Sequence, residues 1–295
     1  MAGGFLRRWF GGAAAPPSVD EARAELDRLS ADRPTLAPVF GWLRELLPDL
    51  APEASAAPLP ALDRERAQNQ LANSVPLLRS QSLPLDSKTL GRRWRRVCDV
   101  LAAHQPDRTA AALGDAVRRG RLDPAEMAGA VLAGRPAEAQ ARAEALGLDP
   151  ALAATVLRFT LFPTLAAIEA SLAPLREGSR WERGYCPTCG SWPLLGEFRG
   201  LEQSRILRCG LCAAGWEVPL LWCHFCGNRD HEQLGYLHPE GEETRDRAAV
   251  CDACHGYVKM IQTLSPLPPL HLHLTDAATL SLDLAAAERG YTNQP

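Results

Sequence analysis

Four Cys-x-x-Cys pairs, Cys186–Cys189, Cys209–Cys212, Cys223–Cys226 and Cys251–Cys254, hold eight of the nine cysteines in this chain and constrain its fold more than any other feature. A two-residue gap lets one tight turn aim two thiolates at a single ion, with turn amides pointing at the sulfurs. A glycine after the second cysteine accommodates the left-handed backbone angle that ends such a turn. Gly190 and Gly227 stand there, and Gly256 follows one place later. Two knuckles make one tetrahedral four-sulfur site, so the eight cysteines predict two metal ions. Nineteen residues separate Cys189 from Cys209, and twenty-four separate Cys226 from Cys251. Pairing neighbours closes the shortest loops. It also gives a repeat, because Cys186 and Cys223 lie thirty-seven residues apart and each opens a unit of knuckle, hairpin, knuckle. Crossed pairing would intertwine the modules and is the disfavoured alternative. A thioredoxin-like redox pair sits once per domain at the start of a helix, which four copies at ribbon spacing do not fit. The plainer alternative is a metal that staples modules too small to fold alone. Iron and zinc share this ligand set and geometry, so the residues leave the metal open.

The chain before the knuckles is of a different kind. Residues 19–176 are rich in Ala, Leu and Arg and poor in β-branched runs, which predicts a helical domain. Helices are expected near 19–31, 36–47, 62–73, 87–104, 107–119, 124–133, 136–146 and 150–173. Ser18 with Glu21 and Asp123 with Glu126 read as capping boxes, and Asp149-Pro150 repeats the cap-then-proline device. The prolines from Pro48 to Pro60 predict a loop. The apolar stretch Ala151 to Leu175 contains Arg158, Pro163 and Glu169, so it reads as a buried helix and membrane insertion is not expected.

Residues 1–18 read as a flexible N-terminus, and 177–184 as a charged linker. The first four-cysteine module is assigned to 185–219 and the second to 220–264. Short strands are expected at 192–198, 204–208, 217–221, 233–237 and 247–250. A C-terminal segment, 265–295, reads as a strand at HLHL and a helix from Asp276 to Arg289. The fold class is therefore α+β, with a helical N-terminal domain followed by two tandem ribbon-like metal modules. Arg7-Arg8 and Phe10 echo a twin-arginine export signal, but Gly11, Gly12, Pro16 and Pro17 follow where an apolar segment belongs. The cytoplasm is the expected location, and there such cysteine pairs bind metal or do redox work.

Charge weighs against a nucleic-acid ribbon. From Trp181 to Pro295 there are nine Lys/Arg against fourteen Asp/Glu, and eight thiolates on two metals deepen that negative balance. His224 and His255 lie in or beside knuckles, but four thiolates per site leave them flanking roles. His231, His238, His271 and His273 have no competing ligand spacing. Trp192, Trp216, Trp222 and Tyr257 are expected to cover the sulfurs, and Cys98 to be buried and inert. No nucleophile triad, phosphate loop or dinucleotide fingerprint is present, so catalytic residues are not assigned. Oligomeric state is not legible.

The motifs CPTCGSWP at 186–193, RILRCGLCAAGW at 205–216, CHFCGN at 223–228, CDACHGYVKMI at 251–261 and ERGY at 288–291 together resemble the FdhE family of formate dehydrogenase accessory proteins. PLLRSQSLPLD at 76–86 adds an upstream echo. The resemblance implies a cytoplasmic maturation factor that acts on the catalytic subunit of formate dehydrogenase; with no catalytic motif present an enzyme is not expected, and a metal-dependent redox step on the client stays open. It also implies rubredoxin-like modules with iron favoured over zinc, and all eight paired cysteines as ligands. The alternative is a rubredoxin-like electron carrier or oxidoreductase with a helical docking domain.

Overall fold

Strong helix formers and well-placed caps set the first half of the chain into helices. The computed structural model describes residues 18–53, 62–79, 81, 83, 85–104, 109–239 and 246–293. The expectations for residues 1–17, and for the part of the proline loop at 54–61, lie outside them. Among the described residues, eight α-helices precede the knuckles: α1 (Val19–Asp32), α2 (Ala37–Leu50), α3 (Arg64–Ala72), α4 (Ser87–His104), α5 (Thr109–Arg118), α6 (Pro124–Leu132), α7 (Pro136–Glu144) and α8 (Pro150–Arg176).

Ser18 and Glu21 form the expected reciprocal capping box at 3.1 and 2.9 Å. Asp123 caps α6 through the Ala125 amide at 2.8 Å, but Glu126 pairs with Arg142 of α7 instead of closing a box. Helix α2 runs through Pro48 to Leu50, past its expected end. Proline removes one ladder bond there, yet Leu46, Leu47 and Leu50 all bury on the same helix, and that packing carries it one turn further. Helix α8 alone among the described residues has the length and apolar composition of a membrane span, and most of it is buried inside the protein. It packs against α2 through α7 as the centre of the helical layer.

The described residues of the second half form six strands: β1 (Leu195–Arg199), β2 (Ser204–Arg208), β3 (Gly215–Glu217), β4 (Leu234–Leu237), β5 (Arg247–Cys251) and β6 (Gly256–Thr263). They join in one sheet of order β3-β2-β1-β6-β5-β4. Every pair is antiparallel except β1 with β6, where Gly196 stands opposite Met260. The two modules are thus halves of a single sheet joined edge to edge. Gly196 permits that junction, since a Cβ there would meet the Met260 sulfur at 2.5 Å.

Strand β6 has no counterpart among the expected strands. Its residues Gly256–Ile261 are buried in succession, so it lacks the alternation of a half-exposed strand, and Lys259 interrupts its apolar run. The Lys259 ammonium is 1 % exposed and reaches Asp276 at 2.6 Å and Asp283 at 2.7 Å. Burial pulls its pKa down, but the two carboxylates outweigh burial and hold it above the usual range. Lys259→Ala is expected to cost about 3 kcal/mol, because two half-buried acids would be left side by side without the ammonium between them. A denaturant midpoint equal to wild type would refute this.

Asp276 and Asp283 come from two C-terminal helices, α9 (Pro269–Ala278) and α10 (Leu280–Glu288). HLHL therefore lies in α9 and not in a strand. Pro269 opens the helix, and Leu270, His273, Leu274, Ala277 and Ala278 bury at helical spacing. The expected single helix from Asp276 is split at Thr279, whose hydroxyl turns back to the Thr275 carbonyl at 2.8 Å. Helix α9 packs on α1 and α2, whereas α10 packs on β4, β5 and β6, so the C-terminal segment straps the two halves together.

Candidate metal centres

Each knuckle is a local hydrogen-bonded turn. The Cys186 amide donates to the Ser191 carbonyl at 2.8 Å, Cys209 to Ala214 at 2.9 Å, and Cys223 to Asn228 at 2.8 Å. Cys251 stands opposite Gly256 in the β5–β6 hairpin at the same five-residue offset. The Thr188 and Leu211 amides point at the Cys186 and Cys209 sulfurs at 3.4 Å. The left-handed residue that ends each turn is Gly190 (φ +83°), Ala213 (φ +65°), Gly227 (φ +79°) and His255 (φ +53°). Gly256, expected to support the fourth knuckle, instead opens β6, so His255 takes the strained conformation.

The structure brings Cys186, Cys189, Cys209 and Cys212 into one cluster and Cys223, Cys226, Cys251 and Cys254 into another. Within each cluster all four sulfurs lie within 4.8 Å of one another. The Cys186–Cys212 and Cys189–Cys209 sulfurs are 3.6 and 3.5 Å apart, and the Cys223–Cys254 and Cys226–Cys251 sulfurs 3.7 and 3.8 Å. A disulfide would need about 2.05 Å. A tetrahedral ion with metal–sulfur bonds of about 2.3 Å has sulfur–sulfur edges of about 3.8 Å. The clusters fit a tetrahedral cation and not a pair of disulfides. The four cysteines of the first cluster are fully buried. Burial pushes the Cys209 and Cys212 thiols well up, while bonds from the other three thiols, Cys186 first, hold Cys189 well down. Four thiolates can share so dry a site only around a cation.

The two centres differ in their surroundings. The first is welded to the helical domain: the Leu77 and Leu78 amides donate to the Pro187 and Thr188 carbonyls at 2.9 Å each, and the Tyr185 hydroxyl donates to the Ser74 carbonyl at 2.9 Å. Glu169 of α8 accepts from the Thr188 hydroxyl and pairs with Arg176, which also donates to the Gly215 carbonyl at 3.2 Å. Burial pushes the Glu169 carboxyl up to about 7, against the pull of Arg176. The Arg176 charge faces Cys186 and Cys212 and offsets the surplus negative charge of four thiolates. None of these helical-domain contacts was visible as a motif. Their nearest signal is the PLLRS start of the 76–86 segment.

The second centre lies toward solvent. Cys223 and Cys251 are buried, Cys254 is half-buried and Cys226 is exposed. Asn228 reaches the Cys251 sulfur at 3.8 Å. Arg205, buried, ties down the segment linking the modules through the carbonyls of Pro219 at 3.2 Å and Trp222 at 2.6 Å. Neither His224 nor His255 joins a cluster. His224 stacks on Phe225 at 3.9 Å, and burial, helped by Arg205, lowers its pKa to about 3, so it stays neutral. His273 lies in the helical core between Phe159 and Phe162. Trp192 meets Phe225 at 5.1 Å, so an aromatic contact links the first knuckle to the third. Cys98 is buried in α4, with its thiol pushed up to about 12 by burial.

Residues 221–295 match the family model described as the FdhE C-terminal domain. The chain is 38% identical over 130 residues to an FdhE homolog of Stutzerimonas stutzeri, covering 43% of this chain and 41% of that one. It is 32% identical over 152 residues to one of Aquifex aeolicus, covering 49% and 52%. These two matches span about half the length of those relatives. An FdhE homolog of Pseudomonas aeruginosa matches over 249 residues at 32% identity, covering 79% and 74%. The crystal structure of the FdhE protein from P. aeruginosa superposes with a TM-score of 0.50 at 26% identity over 94% of each chain.

Proposed function

The chain belongs to the FdhE family, and from that premise we propose that it is an accessory factor for formate dehydrogenase, binding the catalytic subunit in the cytoplasm during its maturation. The observation that carries this reading is the reach of the relationship. An alignment of 249 residues takes in the helical half as well as the cysteine half, which a shared metal module alone would not do. In this reading residues 19–176 are the helical domain, and 185–219 and 220–264 are the metal-bearing halves of the sheet. Cys186, Cys189, Cys209 and Cys212 hold one ion, and Cys223, Cys226, Cys251 and Cys254 hold the other. Iron is the metal assigned, and in four thiolates it supplies a one-electron change that zinc does not. The chain's own residues then do the rest: Arg176 and the knuckle amides offset the thiolate charge, and the buried first centre fixes the helical domain against the sheet. The protein turns over no substrate of its own.

The exposed Cys226 favours a second reading, a small electron carrier with a helical docking domain. One experiment separates the two. The gene is deleted in the source organism, and formate oxidation is measured with the protein supplied only before, or only after, formate dehydrogenase has matured. An accessory factor is needed before maturation and dispensable after it. A requirement in every turnover would support the carrier, and intact formate oxidation in the deletion strain would sink the maturation reading.

A further inference from the structure

A groove of about 660 Å³ lies where the helical domain meets the first metal centre. One wall is α6, α7 and the start of α8. The other is the knuckle segment that carries Tyr185, Trp192 and Leu194. Its size suits a bound segment of a few side chains. Among the described residues lining it there are two arginines, Arg79 and Arg158, and no Asp or Glu. The bias is pronounced for a chain whose net charge is -3.

Both arginines keep hydrogen-bonding capacity in reserve. The Arg79 guanidinium lies on the backbone of Gly134 (φ +77°) and Gly190 (φ +83°), where a Cβ would approach it to 1.5 and 2.7 Å. It forms no ion pair among the described residues. Two glycines, one from each wall, thus cradle a cation that no carboxylate among the described residues pairs with. Arg158 reaches Asp276 only at 4.0 Å, and that carboxylate is already bound by Lys259 at 2.6 Å. The Arg158 Nε is buried with no acceptor. Unsatisfied guanidinium donors beside aromatic and aliphatic walls are what an apolar chain bearing carboxylates would satisfy.

We propose that this groove binds a segment of the client polypeptide that is apolar and acidic, with its side-chain carboxylates paired to Arg79 and Arg158. The proposal rests on the client-binding reading above and adds the surface and the chemistry it selects. It places the client against the first knuckle, next to the buried centre.

The test uses the full-length, metal-loaded protein. Its probes are fluorescein-labelled, C-terminally amidated peptides tiling the formate dehydrogenase catalytic subunit of the same organism, together with the whole subunit. The expected result is that the tiles that bind are apolar and acidic. Changing their Asp and Glu to Asn and Gln should weaken them roughly tenfold or more. Arg79→Ala should do the same. Ala154→Trp, at an exposed groove position on α8, should block both tiles and subunit while leaving metal content unchanged. This second variant keeps the test sound if Arg79→Ala loosens the junction. Binding of the whole subunit that Ala154→Trp leaves unaltered would overturn the groove proposal and leave client binding standing. So would tight binding confined to basic tiles. No binding by either tiles or subunit would overturn both.

Discussion

Cys189→Ala is expected to leave the protein with one tightly held metal ion in place of two and to release the helical domain from the sheet. The reason is the position of the first centre. Its four cysteines are fully buried, and the knuckle carrying Cys189 receives the Leu77 and Leu78 amides. Metal binding in a structural four-ligand site carries on the order of 10 kcal/mol. A whole domain is stable by only about 5–15 kcal/mol. Losing most of that binding therefore melts the region around the site. Elemental analysis should give one ion per chain, and hydrogen exchange should show the Leu77 and Leu78 amides losing protection. Cys226→Ala should also cost one ion but leave those two amides protected, because they bond the first knuckle, whereas its cluster joins the third knuckle to the β5–β6 hairpin. Two ions in Cys189→Ala, or equal exchange in both variants, would refute the assignment of the first cluster as the joint.

The two ions should also leave in a fixed order. A competing chelator is expected to strip the second centre first and the first at least about a hundredfold more slowly, as a difference of roughly 3 kcal/mol in local opening would give. Exposure and packing both set this order. Cys226 is exposed and Cys254 half-buried, so a chelator reaches sulfur and metal directly. Around the second centre, Ala248, Val250, Tyr257, Leu282 and Ala286 form a small satellite core. The first centre belongs to the main core that runs from the helices into the sheet. Alkylation with iodoacetamide during chelation should label Cys226 and Cys254 before Cys186 or Cys212. Simultaneous loss of both ions, or first labelling at the buried cluster, would show that the sheet opens as one unit.

The unequal centres also bear on the proposed function. A buried centre fixes geometry, and the groove lies on its outer side. An exposed centre can meet another molecule. In the proposed reading, the groove would hold a client while the second four-cysteine cluster stays open to solvent.

The sequence by itself determined what depends on neighbours a few residues away. The Cys-x-x-Cys spacing specifies each knuckle because the turn closes through bonds such as Cys186 to Ser191, five residues on. The helix from Ser87 to His104 and the caps at Ser18 and Asp149 follow from local propensity and from side-chain oxygens within three residues of the amides they satisfy. Tertiary structure alone decided the rest. The two modules share one sheet because Gly196 lets β1 approach Met260, sixty-four positions along the chain. Lys259 sits in a central strand because two acids from α9 and α10 neutralise it. HLHL is helical because α9 has α1 and α2 to pack against. Which centre is buried and which is open follows from where the helical domain lands. Those outcomes rest on contacts between distant segments, whose favourable energy exists only once the chain has folded around them.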